Sequence, residues 1–422
     1  MRVPSGCSKI DKTDIIDKVK GLIFGAVIGD SLGIATDGMT KSQVSHVYGK
    51  GPIQFGIDDE GTPFLRDSYR STFDDNDFGG DSEQQLLIIQ SIIQNGTFNY
   101  KEYAKLLQEY SEHGLQGVHK NPLGFNNKTM VAQPDFNTNP RKAAEDVWQS
   151  MTKLRGPSGS LVRAALLGVP KFWDGTTVIE NTADCCRITH PDPMCMMSCV
   201  VVSTLVARIL RGQDLENEDN DDIALPPTPT SAYQQRNKLA SSHQQQQHYS
   251  ITPPPSSPPT TTSHYSLDTD ITLMKIVRSV IDTNKRILTA PNTDPLFRTP
   301  ETNLERNQQY YHQLVDTCSY FEGGPVDFGF LRLDQRQQGI ECLGAGLYAF
   351  TRQLPAGQET DAFKHILMDL VIQGGDAHTN ATVAGALMGV KLGYSHLPSE
   401  WVVGLKRWEW LEDLVDEFCG LL

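Results

Sequence analysis

Near its C-terminal end the chain carries Asp376, His378 and Thr379 in GGDAHTNATVAGALMG, and earlier it carries Asp81 and Ser82 in FGGDSEQQ. Carboxylate and hydroxyl oxygens are hard donors that suit Mg²⁺ or Mn²⁺, while an imidazole extends the choice to softer ions such as zinc. Both stretches stand at the mouth of a helix-forming run. They read equally as ordinary helix starts, with His378 filling space and hydrogen-bonding Asp376 as a structural residue.

Other residues offer further chemistry. Ser158, Gly159 and Ser160 in GPSGS form a turn whose backbone N–H groups suit phosphate or ribose, though a plain Gly/Pro turn explains them too. His190, just before Pro191, either faces a pocket or caps a helix. The acids from Asp58 to Asp77, in GIDDEG and FDDND, read as a solvated loop anchored by Arg70 and Asp77, without the glycine-spaced order of a calcium loop. Cys185, Cys186, Cys195 and Cys199 cluster with His190, but no C-x-x-C pair occurs, so reduced and buried thiols are expected rather than zinc. No P-loop or dinucleotide fingerprint is present.

Helices must position these groups. FGGDSEQQLLIIQSIIQNG, YKEYAKLLQEYSEHG, MCMMSCVVVSTLVARILRG, GIECLGAGLYAFTRQL and FKHILMDLVIQGG space their apolar residues by three and four, and several end at glycine. Alternating apolar and polar runs are almost absent, so the fold class is all-α, a bundle and not a solenoid. Gly25, Gly29 and Gly33 share one face of GLIFGAVIGDSLG, and Ala381, Gly385 and Gly389 share one face after His378. Glycine costs about 1 kcal/mol against alanine inside a helix, so such ladders predict two helices packed backbone to backbone. Asp30 and Asp37 lie near one end of the first, Asp376 at one end of the other.

The 422 residues carry a formal charge of −14, with 51 acidic against 37 basic residues. That balance argues against a nucleic-acid or anionic-membrane surface, which needs clustered Lys and Arg. A small molecule or a protein is the expected partner, and a monomer the expected state. No secretory run opens the chain and no stretch approaches a membrane span, so the expected location is the cytoplasm or nucleus. Residues 216–270 are acidic, then Gln-rich, then Pro/Ser/Thr-rich, and cannot bury enough apolar surface to offset chain entropy. They read as a disordered insertion separating 1–215 from 271–422, two halves of one helical domain.

Five stretches in order resemble the ADP-ribosylglycohydrolase family: GLIFGAVIGDSLGIATD, DSEQQLLIIQSI, GPSGSLVRAALLGV, RITHPDPMC and GGDAHTNATVAGALMGVKLGY. The resemblance runs from about Gly21 to Leu411, and it implies a compact orthogonal helical bundle. It also implies hydrolysis of an N- or O-glycosidic bond of ADP-ribose, free or on a protein or small molecule, assisted by two divalent ions roughly 3.5 to 4 Å apart. On that pattern Asp81, Ser82, Asp376, His378 and Thr379 stand at metal positions and Asp37 and Asp81 at catalytic ones. Ser158, Gly159, Ser160 and His190 stand at substrate positions. Departures are specific: Gly79 and Gly80 replace a threonine and an aspartate, His378 replaces an aspartate, and Asp37 stands where a glutamate is usual. Glu83 stands where many relatives have a further aspartate and, with Asp77, is a candidate replacement ligand. Three of six ligand positions are thus kept, so one ion or none is expected in place of two, and a silent, ADP-ribose-binding relative is the alternative to an active hydrolase.

Overall fold

The computed structural model describes residues 2–57, 60–115, 128–151, 158–213, 270–289, 304–320, 328, 333 and 339–422. The composition-based insertion up to residue 269, Asp58 and the Gly156–Pro157 half of GPSGS lie outside them. The described residues belong to one unit, Met1–Leu215 with Asp268–Leu422.

Among the described residues the architecture is all-helical, relieved by a lone parallel bridge between Ile53 and Thr62. The helices that bear on the site are α1 (Lys12–Gly33), α2 (Lys41–Tyr48), α3 (Gly80–Asn95), α4 (Tyr100–His113), α5 (Leu161–Leu167), α6 (Gly175–Arg187), α7 (Pro193–Leu210), α8 (Gly339–Thr351) and α9 (Ala377–Leu392).

The central pair is α1 and α9, running antiparallel. A Cβ built on Gly21 would stand 2.3 Å from the Gly389 carbonyl oxygen, one on Gly25 2.2 Å from that of Gly385, and one on Gly29 2.0 Å from that of Ala381. One on Gly33 would stand 2.3 Å from the His378 Cα. No side chain fits along this seam, which confirms the predicted backbone packing and extends the ladder by one turn, to Gly21. The consequence for function is geometric: the C-terminal turn of α1, with Asp30, meets the N-terminal turn of α9, with His378.

Helix α7 corrects one expectation. Pro193–Leu210 spans 18 residues and is apolar enough to cross a membrane by length and composition, so a stretch of that kind does exist. Here 94% of it is buried inside the protein as a core helix against α5, α6 and α8. Its apolar character is what a helix surrounded on all sides requires.

Candidate active site

Asp30 is the hub of the site. It sits in the last turn of α1 with no exposure, the one charged residue in the buried GLIFGAVIGDSLG half of the helix, and its Oδ2 accepts from the backbone N–H groups of Gly79 and Ser82, each at 2.9 Å. It thereby ties the start of α3 to the end of α1. Its Oδ1 lies 3.2 Å from His378 Nδ1. A Cβ on Gly79 would approach that same oxygen to 3.2 Å, so the glycine gives the carboxylate room.

Around His378 four carboxylates converge. Nδ1 faces Asp30 and, at 3.3 Å, Asp81 Oδ2; Nε2 faces Asp376 Oδ1 at 3.8 Å and Asp37 Oδ1 at 4.0 Å. The Thr379 hydroxyl lies 2.8 Å from Asp81 Oδ2 and 3.2 Å from Asp376 Oδ1. Ser158 Oγ donates to Asp376 Oδ2. The structure therefore brings together Asp37, Asp81, Asp376, His378, Thr379 and Ser158 from four chain segments.

Electrostatics follow from this crowding. Burial opposes charge on His378, but Asp81, Asp37 and Asp30 outweigh it and hold the imidazole pKa well above the usual histidine value. Burial pushes the Asp81 carboxyl up to about 7, against the pull of His378 and with the push of Asp30 and Asp376. Burial also lifts Asp30, yet its hydrogen bond and charge contact with His378, together with the Ser82 hydroxyl and amide, reverse this and leave it below the ordinary carboxylate range. Near neutral pH the imidazole is a cation enclosed by acids.

Two sets of donors could hold a metal: Asp30, Asp81 and His378, and Asp37, Asp376 and His378, each with its ligand atoms within 4.8 Å of one another. The single imidazole is shared between them. Its protonated form faces both sets at once, with Nδ1 donating to Asp30 and the ring charge near Asp376 and Asp37, and the oxygens already accept from Thr379, Ser158 and backbone amides. A pair of divalent ions does not fit this donor set, because it would require both imidazole nitrogens to lose their protons. One ion fits only if His378 gives up its charge. The Ser82 hydroxyl is buried beside the Asp30 carboxylate, at the junction of the first donor set, where it could also face such an ion.

The two proposed replacement ligands are engaged elsewhere. Glu83 Oε2 accepts from the Tyr110 hydroxyl of α4, and Asp77 accepts from Arg407 at 3.0 Å and from the Phe78 amide. Arg70 is buried and does anchor the acidic loop: its Nε donates to the Ala35 carbonyl at 2.7 Å, one terminal nitrogen donates to the Asp37 carbonyl at 2.5 Å, and the other pairs with Asp67. A cavity of about 810 Å³ opens beside it, lined in part by Asp37, Met39, His46, Leu65 and Tyr69. Asp37 thus borders both the acid cluster and open space. Burial and the charges of Asp37, Asp30 and Asp81 keep the Tyr69 phenol protonated, as a donor to Asp37.

Ser160 and His190 lie on the other side of the Ser158–Ser160 turn. The Ser160 hydroxyl accepts from Cys199 Sγ at 3.3 Å, and His190 is buried behind Gly159, whose Cβ would stand 3.4 Å from Nε2. Behind both, Arg163 of α5 is fully buried. The cysteines enter neither donor set among the described residues. Sequence reasoning did not assign Asp30, Tyr69, Arg163 or Thr189; a lone acid in the apolar GAVIGDSLG was the available signal for Asp30.

The family model for ADP-ribosylglycohydrolase matches residues 11–422. Among solved structures the chain is similar to one described as "ADP-ribosylglycohydrolase-related protein complex", with a TM-score of 0.56, 16% identity, and coverage of 97% of this chain and 99% of that one. At that identity the likeness carries the fold alone. No curated protein matches the chain.

Proposed function

The chain belongs to the ADP-ribosylglycohydrolase family, and from that premise we propose that it is a metal-independent member that binds an ADP-ribosyl group without a two-ion hydrolytic centre. The observation that carries this reading is His378, a buried imidazole with Asp30 and Asp81 at 3.2 and 3.3 Å from one nitrogen and Asp376 and Asp37 at 3.8 and 4.0 Å from the other. A protein cation stands among the acids that would otherwise attract Mg²⁺ or Mn²⁺. The protein supplies its own counter-charge, so the carboxylates stay buried without an external ion. Binding of the ligand falls to the Ser158–Gly159–Ser160 turn, His190 and the Asp37-lined cavity.

Hydrolysis at one ion is the second reading, favoured by the two three-residue donor sets that meet at His378. Calorimetric titration with ADP-ribose in Mg²⁺, in Mn²⁺ and in EDTA separates the two, with turnover of an ADP-ribosylated substrate measured beside it. Equal affinity in all three buffers and no turnover is the expected result. Binding that requires an ion, or turnover that EDTA abolishes, would sink the metal-free reading. Restoring carboxylates with Gly80→Asp and His378→Asp together is expected to make binding metal-dependent.

A further inference from the structure

Asp37 is the edge of the acid cluster. Of the four carboxylates around His378 its side chain is the most exposed, at 15%, and at 4.0 Å its Oδ1 is the furthest from the imidazole. It is also the acid that borders the cavity of about 810 Å³, beside Met39, Val47, Leu65, Tyr69 and Arg70. A volume of that size suits a small molecule, and such sites combine apolar walls with a few fixed polar groups. Here Met39, Val47 and Leu65 supply the apolar walls.

These walls are held from behind, so the cavity is preformed. The Tyr48 hydroxyl donates to the Ala35 carbonyl at 3.1 Å and accepts from the Leu65 amide at 2.8 Å. The Gly38 amide donates to the Gly375 carbonyl and the Gly375 amide to the Met39 carbonyl, both at 2.8 Å. Arg70 gives its donors to the Ala35 and Asp37 carbonyls and to the Asp67 carboxylate, so its charge is matched by Asp67. The Tyr69 hydroxyl donates to Asp37, and its ring packs edge-on against Phe73 at 5.5 Å. The cavity thus presents a carboxylate, a fixed aromatic ring and apolar walls, which together suit a cation carried on a carbon chain. The kind of cation follows from Asp37. A guanidinium pairs with a carboxylate through two parallel bonds and needs both oxygens side by side. Asp37 Oδ1 is turned toward His378 and the carboxylate already accepts from Tyr69, so that fork is not open. An ammonium is a point charge that needs one oxygen.

We propose that this cavity binds an alkylammonium, either a lysine side chain or a free diamine, with its nitrogen at Asp37 and its carbon chain against Met39, Val47 and Leu65. The cation site stands on the cavity alone. Its place beside an ADP-ribosyl group rests on the functional reading above, and refines it: the Ser158–Ser160 turn takes the ADP-ribosyl group and the cavity takes the cation. Calorimetric titration of the full chain at low salt uses cadaverine for the free diamine and Nα-acetyl-lysine amide for the side chain, with Nα-acetyl-arginine amide as the guanidinium control. An ammonium probe is expected to bind more tightly than the arginine amide, and Asp37→Asn to weaken it about tenfold. Val47→Phe, which fills the cavity and keeps the acid, is expected to weaken it as well. Tighter binding of cadaverine assigns the free diamine, and tighter binding of the lysine amide assigns the side chain. No binding of either ammonium probe, an arginine amide that binds as tightly, or unchanged affinity in either folded variant overturns the proposal. ADP-ribose is then titrated with and without saturating cadaverine, and independent binding is expected. Competition would return the cavity to the ADP-ribosyl group and overturn the cation site. A chain that binds cadaverine but no ADP-ribose overturns the functional reading and leaves the cation site standing.

Discussion

Two buried histidines stand on either side of the Ser158–Ser160 turn, and the protein treats them in opposite ways. His378 has four carboxylates around it, whose pull overrides burial and raises its pKa; His190 has burial and the Arg163 charge acting together to lower it. One ring is a fixed cation that neutralises the acids, the other a fixed neutral side chain. The side chain is the same, so the difference lies wholly in the sign of the neighbouring charge. A histidine thus reports its surroundings: among acids it is held as a cation, and beside a guanidinium it stays neutral.

Removing the determinant of the neutral side is expected to have the largest effect. Arg163→Met leaves Thr189 and the Cys185 carbonyl without their donor in the core, and should destabilise the fold by about 4 kcal/mol in urea titration. A change below about 1 kcal/mol would mean that Arg163 is not what holds that side. On the acidic side, His378→Ala strands Asp30 and Asp81 without a counter-charge. A loss of about 3 kcal/mol is expected at pH 6, shrinking toward pH 9 as the native imidazole gives up its proton. A loss that did not vary with pH would break the comparison, since it would mark His378 as packing and not charge.

How far the sequence revealed this pairing depends on the range of the interactions. The all-helical fold and the packing of α1 on α9 were legible, because glycine repeated every fourth residue has no other economical explanation and GLIFGAVIGDSLG and HTNATVAGALMG both show it. Asp81, Asp376, His378 and Thr379 were legible as a group through family motifs. Asp30 was seen as an acid near a helix end, but its role as hub depends on the α3 start folding over it, which no local pattern encodes. Thr189 and Arg163 were invisible as partners: they lie 26 residues apart in sequence yet hydrogen-bond between α5 and the end of α6, and nothing in LVRAALL or CRITHP marks one as addressed to the other. Glu83 and Asp77 show the reverse error, where proximity in sequence suggested a ligand and Tyr110 and Arg407 had already claimed the carboxylates.

The two rings should also separate in their pH dependence. A histidine whose folded pKa is raised contributes stability that is full below its unfolded value of about 6.5 and is lost as pH rises through the folded value. A histidine whose folded pKa is lowered stays neutral in the fold, so its cost appears as pH falls below about 6.5 and the unfolded chain takes up the proton. Asp81, raised to about 7, contributes a separate loss as pH rises from about 4 to 7, since the fold holds its proton more tightly than the unfolded chain does. Melting temperatures of the native chain and of His378→Asn are therefore expected to converge as pH rises from about 6.5 to 9. Those of the native chain and His190→Gln are expected to converge as pH falls from about 6.5 to 5. Parallel profiles in either pair would remove the opposition between the sites.

The smallest structural change tests the most specific part of the comparison. Gly159 lies at the boundary of the two sites, and its backbone is not in the left-handed region, so alanine meets no conformational strain there. The added Cβ would stand 3.4 Å from His190 Nε2, an ordinary contact distance, and stability should stay within about 1 kcal/mol of native. The same methyl parts the turn from His190, two of the groups to which the functional reading gives the ligand. Gly159→Ala is therefore expected to keep its unfolding midpoint while losing ADP-ribose affinity by about tenfold, the value of one hydrogen bond to a ligand. Unchanged affinity in that variant would show that recognition does not depend on how the turn meets His190, and would confine it to the acidic side where Ser158 meets Asp376.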